Sequence, residues 1–155
     1  MSLFSRTSEN QINIGLAILR VVVGIIFVAH GAQKIFVFGF DGVAGSFAQM
    51  GIPMANILGP FVALVEFFGG LALIGGLFTR LAAFALAVDM LVAIFQVHLA
   101  GGFFAPKGIE LALSLGGAAL MLAVTGAGAL SIDALFTRKS KAGVVTSNNV
   151  TRKAA

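Results

Sequence analysis

The sequence predicts an all-α fold, a polytopic membrane protein built as an antiparallel four-helix transmembrane bundle, and three observations carry that prediction. Of the 155 residues, 59% are hydrophobic and 10% charged, against about 25% charged in a soluble globular domain. The apolar residues gather into four runs, about residues 12–36, 57–78, 81–100 and 109–130, each comparable at ~1.5 Å per residue with a hydrocarbon core of roughly 30 Å. Most cations lie outside these runs and on one side of them. Lipid is therefore the expected solvent and partner of residues 12–133.

Residues 1–11 are polar, hold Arg6 and lack the pattern of a signal peptide, because the apolar run that follows outlasts an h-region of about 7–15 residues. The first span is interrupted by Arg20 and runs on through His30, Gln33 and Lys34 to the interface. Residues 41–56, with Gly42, Gly45, Gly51 and Pro53, hold too few successive apolar residues to span a bilayer. They are expected to form a loop, with a short interfacial helix over residues 43–50.

The second span has Pro60 in its first turn, where a missing N–H costs little, and Glu66 as its one charge. The short Thr79–Arg80 turn makes it an antiparallel hairpin with the third span, which carries Asp89, Gln96 and His98. Residues 101–108 read as an interfacial loop with Phe103 and Phe104 at headgroup level. Glu110 starts the fourth span, and residues 134–155 are expected to be a basic, disordered tail.

Orientation follows from the cations. Arg6, Arg80 and the tail's Arg138, Lys139, Lys141, Arg152 and Lys153 share one side, against Lys34 and Lys107 on the other. Seven against two places both termini in the cytoplasm. The net charge of +4 is thus orientation charge, and nucleic acid is excluded as a partner.

Cysteine is absent, which excludes disulfides, thiolate ligands, iron–sulfur clusters held by this chain and thiol exchange. Redox chemistry would need a borrowed cofactor. Two histidines on separate helices, without cysteine or a His-rich spacing, predict no metal site. The Gly126–Gly128 pair follows no strand and is no dinucleotide fingerprint.

Charges at depth are the main functional signal. Arg20 lies about 12 Å into the first span, Asp89 a similar distance into the third, and Glu66 about 18 Å from the inner end of the second. Each charge at such depth costs about 2.5–3.5 kcal/mol on insertion scales and so calls for a partner or a cavity. Arg20, Glu66, Asp89 and Gln96 are therefore the candidate ligand-binding polar layer, with Arg20 expected to pair with Asp89 or Glu66 as a clamp on helix register. The carboxylate left over is the candidate for proton exchange, which makes Glu66 and Asp89 the catalytic candidates.

Gly24, Gly69 and Gly70 share helix faces with these charges and allow close backbone approach. His30, Gln33 and Lys34, at i, i+3 and i+4, join His98 and Glu110 in an outer polar cluster, a mouth or headgroup pocket. Phe27, Phe67, Phe68, Phe84 and Phe95 would suit an apolar slot for a quinone ring or lipid tail, and equally the packing of any helical core.

Three stretches resemble the DoxX family of small four-helix membrane proteins. They are Arg20, Gly24, Phe27, His30, Gly31 and Lys34; Glu66, Gly69, Gly70 and Gly76 running into Thr79 and Arg80; and the closing T-G-A-G-A-L-S-I-D of residues 125–133. The family takes its name from subunits associated with quinone-linked oxidation. The resemblance therefore implies a membrane subunit or accessory of a quinone-linked oxidoreductase system in a bacterial inner membrane, with quinone as ligand and a partner protein supplying the redox centre. Two other classes fit the same residues: a small proton-coupled or lipophilic-solute transporter, which at this size would need to form a homo-oligomer, and a non-catalytic membrane assembly factor.

Overall fold

A computed structural model describes residues 7–137, and every described element is helical. Helix α1 (Glu9–Ala32) begins three residues before the expected start because Ser8 and Gln11 form a reciprocal capping box. Two orphan donors of the first turn are satisfied that way. Leu16, Arg20, Val23, Gly24, Phe27 and Gly31 line its buried stripe, while Ile18, Val22 and Ile25 are exposed.

Beyond Ala32 the helix widens into a π-helical stretch, Gln33–Phe38, and Gly39, at φ 70°, breaks the run. Helix α2 (Gly39–Gln49) leaves from that break. The segment expected to be a loop with a short helix over 43–50 is thus helical from Gly39 to Gln49 and follows the first span with no loop between. Its buried Val43 and Ala44 dock on α3 (Ala55–Gly75) at Gly59, where an added Cβ would stand 3.0 Å from the Ala44 nitrogen.

Helix α3 buries Ala55, Gly59, Ala63, Glu66, Gly70 and Leu73, a stripe of mostly small residues at steps of three and four. It ends in a Schellman motif: Leu77 N–H donates to the Ala72 carbonyl (2.9 Å) and Gly76 N–H to that of Leu73 (3.2 Å). Helix α4 (Thr79–Ala93) follows at once, widens into a second π-helical stretch, Ile94–His98, and closes with one 3₁₀ turn, Leu99–Gly101. Helix α5 (Glu110–Thr125) stops five residues before the expected end because the chain turns away at Gly126.

Two helix pairs make the bundle. Helix α1 packs along α3, α4 along α5, and α3 with α4 joins the pairs. The α1–α3 crossing is a backbone contact, since a Cβ on either Gly24 or Gly70 would lie 2.7 Å from the other's carbonyl oxygen. Two turns further along α1, Gly31 rests directly on the Phe67 backbone. In the α4–α5 pair, Ala83, Leu86 and Met90 interdigitate with Ala112, Leu115, Ala119 and Leu122, all buried.

The helical runs Glu9–Gln49, Ala55–Gly75 and Thr79–Gly101 are long and apolar enough to cross a membrane. The 16-residue α5 covers about 24 Å at 1.5 Å per residue. Large apolar side chains stand exposed around the bundle, among them Ile18, Phe61, Phe68, Leu81 and Leu120. A surface of that kind is sustained by lipid and not by water.

The closing segment is a strap. Asn13 Oδ1 accepts from the Ala129 N–H at 2.8 Å, and Ser131 caps the helical residues 132–137 by accepting from the Ala134 N–H. Asp133 reaches the α3–α4 turn, where its carboxylate accepts from the Phe78 and Thr79 N–H groups at 2.8 and 3.0 Å. The expected tail is therefore helical over 134–137; residues 138–155, like 1–6, lie outside the described residues.

Candidate functional site

A cavity of about 630 Å³ lies between the two helix pairs. Phe27, His30 and Lys34 line it from the first helical run, Val65 and Glu66 from α3, Val88 and Asp89 from α4, and Leu115 from α5. Helix α2 adds Val43 and Phe47 to the lining, and Met50 follows just beyond its end. The walls are overwhelmingly apolar, and their ionisable side chains are Lys34, Glu66, Asp89 and two histidines.

The register of α1 on α3 builds the charged corner. With Gly31 seated on Phe67, residue 34 comes level with residue 66, and the Lys34 ammonium stands 2.5 Å from Glu66 Oε2. Glu66 is 5% exposed and Lys34 21%. Asp89 enters from α4 beside them, lining the same cavity. Its Oδ2 is buried and without a hydrogen-bond partner. The result is one ammonium and two carboxylates at one point of an apolar chamber.

Arg20 is placed elsewhere, which corrects the expected ion pair. Its Nη1 and Nη2 donate to the carbonyl oxygens of Ala127 (2.6 Å) and Leu130 (2.7 Å), and among the described residues it forms no salt bridge with Glu66 or Asp89. Fourteen residues, about 21 Å of helix, separate it from Lys34. The planar fork suits two carbonyls of a strap better than a lysine's point charge would. Gly76, across from it, has no room for a side chain: a Cβ there would be 2.6 Å from Arg20 Nη1. The partners of Arg20 are backbone carbonyls of the closing segment in place of an acid on a neighbouring helix.

The outer cluster divides. Lys34 belongs to the charged corner, and His30, His98 and Gln96 line the same cavity. His98 Nδ1 also donates to the Lys107 carbonyl at 3.2 Å. Gln33 is exposed and lies outside the lining. Glu110 serves the loop that follows α4, accepting from the Ala105 N–H at 2.9 Å. Of the five phenylalanines considered for a slot, Phe27 and Phe84 line the cavity. Phe67 instead packs edge-on against Phe36 and Phe68, at 6.0 and 5.3 Å between centroids.

Sequence reasoning missed the contribution of α2 and the two π-helical stretches. One of these carries Lys34, the other Gln96 and His98. π-bulges inside α-helices are rare and often sit at functional sites. Among the described residues, no three histidine, aspartate or glutamate side chains converge as metal ligands.

As chemistry, the corner offers an ammonium with N–H groups to spare and a carboxylate oxygen with none to accept from. A ligand with an oxygen that accepts from Lys34 or a hydroxyl that donates to Asp89 fits it. The apolar chamber would house the rest of such a molecule.

Comparison with known proteins agrees with this architecture. The family model described as DoxX matches residues 15–99, more than half of the chain. An uncharacterized protein of Haemophilus influenzae is 41% identical over 80% of this chain and 92% of its own length. The inner membrane protein YqjF of Escherichia coli is 35% identical over 82% of this chain and 95% of its own. A Bacillus subtilis protein named "Putative oxidoreductase CatD" is 31% identical over 89% and 98%. No solved structure gives a significant match. On the family match and these full-length relatives, this four-helix membrane chain belongs to the DoxX family.

Proposed function

We propose that the chain is a membrane subunit or accessory of a quinone-linked oxidoreductase system, and that the cavity holds the quinone. The observation that carries this reading is the Lys34–Glu66–Asp89 corner, with Glu66 buried and the other two partly so, inside a mostly apolar chamber. Lys34 would donate to a carbonyl of the quinone, Asp89 would accept from a hydroxyl of its reduced form, and Phe27 and Phe84 would line the site. A bound quinone supplies two-electron, two-proton redox chemistry. Glu66 holds the Lys34 ammonium in place, and the helices exclude water.

With no cysteine in the chain, a partner protein carries the redox centre. The name of the B. subtilis relative leans the same way, and those of the E. coli relatives point to the inner membrane. The cation count favours both termini on the cytoplasmic face, with the cavity toward the outer half of the bilayer.

The test is to purify the protein in mild detergent, extract it with organic solvent and identify the extract by mass spectrometry. A stoichiometric quinone in the wild type, lost in a folded Glu66→Gln variant, is the expected result. Wild-type protein free of quinone, together with unchanged membrane quinone reduction in Glu66→Gln, would sink the reading.

A further inference from the structure

We infer that the cavity is loaded sideways from the bilayer, between α3 and α4, and that it selects an uncharged, oxygen-bearing lipid head over an anionic phospholipid. This rests on the quinone reading and adds to it a route and a basis for selection. The rim carries the first half. Phe61 on α3 and Phe84, Val88 and Val92 on α4 line the cavity, yet they are 59%, 59%, 44% and 49% exposed.

Residues that are at once wall and outer surface mark an opening. On α4 the three are spaced i, i+4 and i+8, one stripe directly beside Asp89. Val88 lies about 13 Å from the start of α4 and Phe61 about 21 Å from the end of α3, both within a hydrocarbon core of roughly 30 Å. The opening therefore faces acyl chains. Helix α2, held by the contact of Ala44 with Gly59, adds Val43 and Phe47 to the lining.

The second half follows from charge. One ammonium faces two carboxylates, and Lys34 already donates to Glu66. A phosphate brought to this corner would meet two like charges for one opposite charge, whereas a carbonyl or hydroxyl head meets a spare donor and an empty acceptor, Asp89 Oδ2.

The chain has neither tryptophan nor tyrosine, so Phe84→Trp installs a single reporter at the rim. The full-length variant is reconstituted into phosphatidylcholine vesicles and its fluorescence followed with three probes. Lipids brominated on their acyl chains should quench it, and acrylamide in the water should not. Ubiquinone-10 dissolved in the bilayer should quench saturably, unaffected by added phosphatidylglycerol, with half-saturation raised about tenfold by Glu66→Gln, which releases the Lys34 ammonium from the position in which it meets the ring carbonyl.

Strong acrylamide quenching without bromolipid quenching overturns the sideways route, and competition by phosphatidylglycerol overturns the selection. If the route holds while ubiquinone quenching ignores Glu66→Gln, the quinone-head reading fails and the portal stands. Saturable, Glu66-dependent ubiquinone quenching with an aqueous rim sinks the portal alone. Val88→Trp repeats every measurement one turn away, should Phe84→Trp misfold.

Discussion

The Lys34 ammonium stands 2.5 Å from Glu66 Oε2 because the glycines of α1 seat it against the backbone of α3. A buried pair of this kind is most exposed when only one partner is removed, since the other is left as an uncompensated charge. Lys34→Met leaves Glu66 and Asp89 facing each other in apolar surroundings. It should cost about 3–5 kcal/mol in reversible unfolding in detergent. Adding Glu66→Met should recover most of that loss, and losses that simply add would contradict the pairing.

The glycine crossing makes a position-specific prediction. Gly24→Ala drives a methyl group against the Gly70 carbonyl, 2.7 Å from the ideal Cβ, and should destabilise by about 1–3 kcal/mol. Gly15→Ala, in the same helix but with nothing within 4 Å of its Cβ, should stabilise by up to about 1 kcal/mol through helix propensity. Equal effects from the two substitutions would mean that α1 and α3 do not cross at Gly24.

Arg20 is assigned to the strap and not to the cavity. Arg20→Lys gives up the fork that holds Ala127 and Leu130, a loss of about 1.5–3 kcal/mol per charged hydrogen bond. Amide exchange should accelerate over residues 126–131 while quinone bound per folded molecule stays constant. Asp133→Ala removes the carboxylate from the Phe78 and Thr79 N–H groups and should cost about 1 kcal/mol, the usual worth of a helix cap. Abolished quinone binding in a folded Arg20→Lys variant would return Arg20 to the site.

These assignments show what the sequence made legible. Four apolar runs are enough to read a four-helix membrane fold, and helix rise alone groups Glu66 and Asp89, together with Arg20, in one layer about 12–18 Å deep. Arg20 was mispaired because its partners are the backbone carbonyls of Ala127 and Leu130, groups that no side-chain pattern announces. Lys34 was placed at the interface by counting along one helix, whereas its level is fixed by the antiparallel register on α3. A signal was present: Gly24, Phe27, Gly31 and Lys34 share a face, so the lysine follows the glycines into the helix contact. Helix α2 was read as a short interfacial helix over 43–50 within a loop, because Gly42 and Gly45 dilute its pattern, and its docking on Gly59 is a tertiary contact that no local pattern encodes.

The most direct test of the central claim, that the Lys34–Glu66–Asp89 corner is the head site of a quinone cavity, is photolabelling with an azidoquinone in native membranes, followed by mass-spectrometric mapping. Adducts on cavity residues such as Phe27, Val65 and Val88, displaced by excess ubiquinone and lost in folded Glu66→Gln, are the predicted result. Label spread over outward-facing residues such as Ile18, Phe68 and Leu120, and indifferent to both competitor and Glu66→Gln, would contradict the account.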